Sequence, residues 1–270
     1  RAAGTSLAGQ CVGDGLVVDI SKYFTKIVAF NEKNKTVTVQ PGVVRDQLND
    51  FLKPYGLFFG PNTSTSNRCT IGGIVGNNSS GTTSIKYGVT RDKVLELKTI
   101  LSDGSEVIFN NLNAEEFSNK TTGKSLESEI YTTIFNELTN EATQQEIKKE
   151  FPKNSIHRRN NGYAIDKLLS YEGFGGSNQQ INLATLLTGS EGTLAFTTEI
   201  TLQLDTLPPS KNIMVAAHFN SIQESMEAVV IAMKHNLFTC ELMDKTILDC
   251  TKNNREQLKN RFFVEGDPKA

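Results

Sequence analysis

Tryptophan is absent from this chain of 270 residues, which holds only three histidines, four cysteines and seven prolines. The cysteines (Cys11, Cys69, Cys240 and Cys250) are far apart and form no C-x-x-C pair, so they alone build neither a zinc site nor an iron–sulfur cluster. Such sparse thiols fit a reducing, cytoplasmic location better than a disulfide scaffold. No apolar run approaches the ~20 residues of a membrane-spanning helix, and no signal peptide is visible, so membrane association is expected to be peripheral at most. A formal net charge of −2 gives no electrostatic reason to expect nucleic acid. The one basic cluster, Lys153 with Arg158 and Arg159, reads as a solvated edge or a patch beside a substrate. What is plentiful is ordinary: 37% hydrophobic and 21% charged residues, enough for a sizeable core.

A further absence is local. From Cys69 to Ile85 there is no charged side chain, yet the stretch holds Gly72, Gly73, Gly76 and Gly81 among Ser, Thr and Asn. Such a segment offers main-chain N–H groups and hydroxyls with little bulk to keep an anionic ligand away. A second segment of this kind opens the chain, RAAGTSLAGQ at 1–10. Two such loops point to a dinucleotide gripped along its length. Spacing removes the commoner phosphate loops. A Walker A loop needs Gly-Lys after its first glycine interval, but Gly4 and Gly9 are followed by Gln10 and Cys11, and Gly76 and Gly81 by Thr82 and Thr83. The dinucleotide fingerprint G-x-G-x-x-G/A fails because Val18 stands third after Gly13 and Gly15. A flexible surface linker is the plainer reading, and Ile71, Ile74 and Val75 among the glycines count against it.

The remaining pattern is α+β. Leu16–Ile20 reads as a strand, Ile27–Asn31 and Thr36–Gln40 as a hairpin, and Val43–Leu52 as a helix with Val44, Leu48, Phe51 and Leu52 on its stripe. Asp103-Gly104 marks a hairpin between Val94–Ser102 and Glu106–Phe109. Ser125–Glu150 reads as two helices, and the alternation over Leu194–Leu204 as a half-buried strand. Pro208-Pro209 marks a boundary, followed by strand Ile213–Phe219, helix Ser221–His235, strand Thr239–Met243 and helix Lys245–Lys252. The chain begins inside a motif without Met and stops after FFVEGDPKA, so a fragment of something longer is expected.

RAAGTSLAGQ, Pro61–Gly88 and LTGSEGTLAFTTEITLQL at 187–204 resemble the FAD-binding PCMH-type (vanillyl-alcohol oxidase) flavoproteins. The resemblance is to the D-2-hydroxyacid dehydrogenase and glycolate oxidase D-subunit branch. RNNGYAIDKLL at 159–169 is similar to the long bacterial members fused to an iron–sulfur domain. It implies a two-subdomain FAD-binding domain at 1–207, lacking its N-terminal strand, and the start of an α/β cap domain at 208–270. It also implies that Ala2, Ala3, Gly4, Thr5 and Ser6 wrap the FAD diphosphate. The rest of the diphosphate and the flavin edge fall to Pro61, Thr63, Ser64, Gly72, Gly73, Gly76, Asn77, Ser80, Gly81, Ser84, Tyr87 and Gly88. Glu191 and Gly192 approach the adenosine half. Relatives have Gly-Gly where this chain has Ala2-Ala3, which requires that neither adopt a positive φ. Covalent members anchor the flavin on His or Cys; His157, His218 and His235 lie in neither loop, so non-covalent FAD is expected, with Cys69 a small buried hydrophobe.

The implied reaction is oxidation of a D-2-hydroxyacid such as D-lactate or D-2-hydroxyglutarate to the 2-oxoacid, with hydride transfer to flavin N5. Electrons would pass to an acceptor domain, an iron–sulfur cluster outside this chain, or a quinone-linked carrier. The family's catalytic base and metal ligands lie in a cap motif that this chain does not contain, so no catalytic residue and no metal ligand is assigned. Two alternatives stay open: an FAD-binding electron-transfer subunit without its own active site, and a transferase or reductase on the same fold.

Overall fold

Alternating Val37 and Val39 against Ile200 and Leu202 explains the centre of the protein, since all four side chains point to one face and are essentially buried. The computed structural model describes residues 1–270 except Ala8, Asn154, Asn160 and Asn161, so one residue of the opening motif and two of RNNGYAIDKLL lie outside the described residues. In chain order the elements are β1 (Ile27–Asn31), β2 (Thr36–Val39), α1 (Arg45–Leu52), β3 (Leu57–Phe58), α2 (Ile71–Asn77), α3 (Ser84–Tyr87), β4 (Val94–Ile100) and β5 (Glu106–Phe109). They continue with α4 (Ala114–Lys120), α5 (Leu126–Thr139), α6 (Glu141–Glu150), α7 (Ile165–Leu168), α8 (Ala184–Leu187), β6 (Phe196–Gln203) and β7 (Asp205–Thr206), then α9 (Ile222–Ala232), α10 (Lys245–Cys250) and α11 (Arg255–Leu258).

Five strands form one antiparallel sheet in the order β1-β2-β6-β4-β5, and β3 pairs with β7. Register places Val39 opposite Ile200 and Ile200 opposite Leu97, so one buried row crosses three strands. The long-range step is β6, which leaves residue 196 to enter the sheet between two hairpins formed before residue 110. α1 and α2 add Leu48, Leu52, Ile71 and Ile74 to the same core, each such side chain contributing roughly 1.5–3 kcal/mol of burial. Beside it Phe117, Tyr131, Phe135, Tyr171 and Phe174 form an aromatic cluster with ring centroids 5.5–6.4 Å apart. Helix starts follow local chemistry: Asn113 and Glu116 form a capping box, and Ser125, Asn140, Ser221 and Asp244 cap α5, α6, α9 and α10.

The chain divides into two compact units, residues 1–81 with 87–207, and residues 82–86 with 208–270. Three expected strands do not form. Leu16, Val17 and Val18 are exposed, and the segment's main-chain hydrogen bonds among the described residues go to residue 1, through Ile20 N–H to the Arg1 carbonyl (2.9 Å) and the N-terminal ammonium to the Val18 carbonyl. In the second unit 213–219 and 239–243 form no ladder, and Ile213, Met214 and Val215 are exposed. Phe219 pairs instead with Lys269 and Ala270. A strand needs an edge to pair with along its length, and these segments form no ladder with any described residues.

Candidate functional site

The uncharged stretch at 69–81 folds around α2. Thr70 caps it by accepting from the Gly73 N–H (3.4 Å), and Asn78, in a left-handed conformation, ends it. Gly72 is explained by packing: its N–H donates to the Pro41 carbonyl at 2.8 Å, and a Cβ there would stand 2.5 Å from Pro41 Cβ. Gly73 differs. It is exposed, and the nearest atom to a Cβ would be Thr70 Oγ1 at 3.6 Å. Gly76 is also open, with only the main chain of Glu191 and Gly192 at ordinary contact distance.

Glu191 and Gly192 arrive at the C-terminal turn of α2. Gly189 N–H donates to the Val75 carbonyl (2.9 Å) and Glu191 N–H to the Gly76 carbonyl (2.8 Å). Gly189, Glu191 and Gly192 all have positive φ, which turns successive amides of this loop sharply beside the helix end. Asn77 is exposed at the same end and donates to Ser79 Oγ, while Ser80 is buried.

The opening loop connects to α2 through main chain. Arg1 accepts from Ile20, the Ile20 and Phe24 carbonyls crowd Gly42, and Pro41 in turn carries Gly72. Ala2 and Ala3 are not among the positive-φ residues, whereas Gly4 is, at +65°. Among the described residues the N–H groups of Ala2, Ala3, Gly4, Thr5 and Ser6 donate to no protein atom.

The 61–64 segment and Gly81 meet at Asn62: Gly81 lies at φ +141°, and a Cβ would stand 1.4 Å from the Asn62 carbonyl oxygen. Tyr87 packs edge-on against Phe58 (4.9 Å) and closely over Gly60; burial, then the nearby Asp205 carboxylate, raises its phenol pKa. Gly88 leaves room for Asp92, whose carboxylate accepts from the Val89 N–H at 2.9 Å. Thr63 sits 3.1 Å from the buried Cys69 thiol, and Ser64 is exposed. Ser84 belongs to the second unit, on α3.

Sequence reading missed three residues here. Arg45 is buried and holds the Pro61 and Phe59 carbonyls (2.7 and 3.3 Å), fixing the start of the 61–64 segment; burial lowers its pKa. Its signal was its place at helical spacing with Leu48 and Leu52, an arginine on an apolar face. Arg91 holds the Thr185 and Thr188 carbonyls (3.0 and 2.6 Å), and burial, then the neighbouring Arg159, lowers its pKa to about 10. Nothing in local periodicity marks it. Cys11 packs against Gly4, its thiol 3.8 Å from the Gly4 carbonyl oxygen, beside the first loop. A cavity of about 360 Å³ opens elsewhere, between α6 and α7, and none of the anticipated cofactor residues lines it. Among the described residues no cluster of three His, Cys, Asp or Glu could hold a metal ion, and no helix is long and apolar enough to cross a membrane.

Residues 1–110 match the FAD binding domain family. The chain is 33% identical to D-2-hydroxyglutarate dehydrogenases of Haemophilus influenzae and Escherichia coli, over 94% of its length and 24% of theirs. It is 28% identical to glycolate oxidase subunit GlcD of Bacillus subtilis, over 92% of its length and 40% of that protein. It thus spans about a quarter of the length of the curated dehydrogenases it matches. An alkyldihydroxyacetonephosphate synthase structure shares the fold, with a TM-score of 0.51 and 16% identity over 86% of this chain and 31% of that one. Residues 1–110 thus match an FAD binding domain, and the chain as a whole is similar to D-2-hydroxyglutarate dehydrogenases and to a glycolate oxidase subunit.

Proposed function

We propose that this chain is the flavin-holding part of an FAD-dependent dehydrogenase that oxidises a D-2-hydroxyacid, D-2-hydroxyglutarate or D-lactate, to the 2-oxoacid. The observation that carries the reading is the set of undonated amides at Ala2–Ser6, tied through Pro41 to a glycine-bearing helix whose far end meets 189–192. In it, residues 1–207 form the FAD domain and 208–270 open a cap domain. The amides of Ala2–Ser6 hold the diphosphate, 61–64 and 72–88 cover the remainder and the flavin edge, and Glu191 and Gly192 face the adenosine half. Bound FAD supplies flavin N5 as the hydride acceptor. The residues of this chain bind and orient, and exclude water from the cradle; the base that takes the hydroxyl proton is assigned to none of them. Attachment is non-covalent: Cys69 is buried against Thr63, and the histidines lie outside the loops. Electrons leave to an acceptor domain or a quinone-linked carrier. A cytoplasmic location fits four unpaired thiols.

The test is anaerobic mixing of the intact, flavin-loaded protein with D- and L-2-hydroxyglutarate and D- and L-lactate. Loss of flavin absorbance with a D enantiomer alone supports the reading. Equal bleaching by both enantiomers, or reduction by NADH instead, would replace it with a reductase.

A further inference from the structure

Between α6 and α7, away from the glycine-bearing loops, lies the cavity of about 360 Å³, within the ~300–1,000 Å³ of small-molecule sites. Its walls are of two kinds. Phe151 and Leu169 supply apolar surface, while Lys148, Lys153 and Lys167 bring three ammonium groups. Among the described residues neither Lys153 nor Lys167 forms a salt bridge within 4 Å. Burial, then the neighbouring Arg159, lowers the Lys167 pKa, with Asp92 opposing the shift.

Asp166 is the unusual member. Its side chain is about nine-tenths buried, and Oδ2 pairs with Arg159. Oδ1 is buried without a hydrogen-bond partner, although Asp166 lines the cavity. A buried carboxylate oxygen left without a donor costs free energy on the order of 1–3 kcal/mol or more. The lysine ammonium groups do not reach it. A ligand meeting all three features has an anionic group for the lysines, a flat or apolar body for Phe151, and a hydroxyl or amino hydrogen for Asp166.

We propose that this cavity is a binding site for a small organic phosphate carrying a hydrogen-bond donor, of the nucleoside monophosphate class, distinct from the FAD cradle. The phosphate meets Lys148 and Lys153, the base lies on Phe151, and a ribose hydroxyl or exocyclic amine donates to Asp166 Oδ1.

The test is calorimetric titration of AMP into the intact flavin-loaded protein, with inorganic phosphate in a parallel arm. Saturable AMP binding is expected, at least tenfold tighter than phosphate. Lys148→Gln with Lys153→Gln, both exposed, should weaken AMP about tenfold or more without moving the melting temperature. Asp166→Asn should weaken AMP while leaving the weak phosphate binding as it was; should it unfold the protein, the lysine pair decides. AMP binding to apoprotein that bound FAD abolishes would mean that the adenosine half of FAD takes the cavity, and would overturn a separate site. Phosphate binding as tight as AMP, or no saturable AMP binding in the millimolar range, would overturn the proposal too. None of these outcomes depends on which hydroxyacid, if any, reduces the flavin.

Discussion

The glycines of the 69–88 stretch divide by what their missing Cβ would meet. Gly81 and Gly72 are glycine for the protein's own sake, Gly81 against Asn62 and Gly72 against Pro41. Gly81→Ala should lose about 3 kcal/mol or more, from overlap plus a φ that alanine avoids, and Gly72→Ala about 1–3 kcal/mol, both measured by urea unfolding. Arg45 acts through two carbonyls. Arg45→Leu would leave the Pro61 carbonyl without its buried donor and the Phe59 carbonyl with Asn49 alone, at about 1–3 kcal/mol for the former, and the same unfolding curves should show it. A sequence reader sees these glycines as one class because each has the same neighbours: Ser, Thr, Asn and more glycine. Only the partner across the fold (Pro41, Asn62 or open space) separates a packing glycine from one available to a ligand. Arg91 was invisible for a related reason, since its partners lie about 95 residues on, at Thr185 and Thr188.

Among elements, those with local signals were legible. Asp103-Gly104 set the β4–β5 hairpin, with Gly104 at φ +85°, and 125–150 did split into α5 and α6 at the Asn140 cap. The buried face of α1 is Arg45, Leu48 and Leu52, with Phe51 turned outward, because helical spacing alone does not say which of two adjacent apolar residues faces the core. Strands at 16–20, 213–219 and 239–243 were expected from composition, but a ladder is a property of two segments, and one segment's residues do not reveal its partner. In the second unit α10 is tied to the chain's end by Lys245 and Lys252 on Asp267 (2.6 and 3.2 Å) and by the Lys245 N–H on the Lys269 carbonyl. Hydrogen bonds from the two lysines hold the Asp267 carboxyl down at about 2, against an ordinary 3.8. A depressed carboxylate pKa contributes stability that is complete above the unfolded value and disappears as pH falls through the folded one. The melting of this unit should therefore lose a component between about pH 4 and pH 2. Asp267→Asn should remove that component, and added salt should shrink it because the pair is exposed. A wild-type and Asp267→Asn pair with identical acid profiles would contradict this account.

For the molecule as a whole, the proposed function draws on stretches distant in sequence, of which 1–10, 61–81 and 189–192 belong to the sheet-bearing unit. The entry of β6 between two early hairpins brings the third stretch to α2, and that crossover was not legible before the structure. If FAD is held only by main-chain dipoles, acid or heat should release all of it into the supernatant, seen as yellow colour after the protein is pelleted. Flavin remaining on the pellet would point to a thiol, and Cys11 beside Gly4 would be the first to replace. The central claim is that one cradle of amides, rather than a surface linker, is built from these stretches, and Gly73 tests it most directly. A Cβ there meets only Thr70 Oγ1 at 3.6 Å, so the fold should accept a branched side chain that a bound diphosphate would not. The deciding measurement is the flavin-to-protein ratio of Gly73→Val in the intact protein, read beside its apoprotein melting temperature. The account predicts a ratio reduced about tenfold or more, the loss of roughly 1.4 kcal/mol or more of binding, with the apoprotein melting unchanged. A full flavin complement on a stable Gly73→Val protein would contradict it.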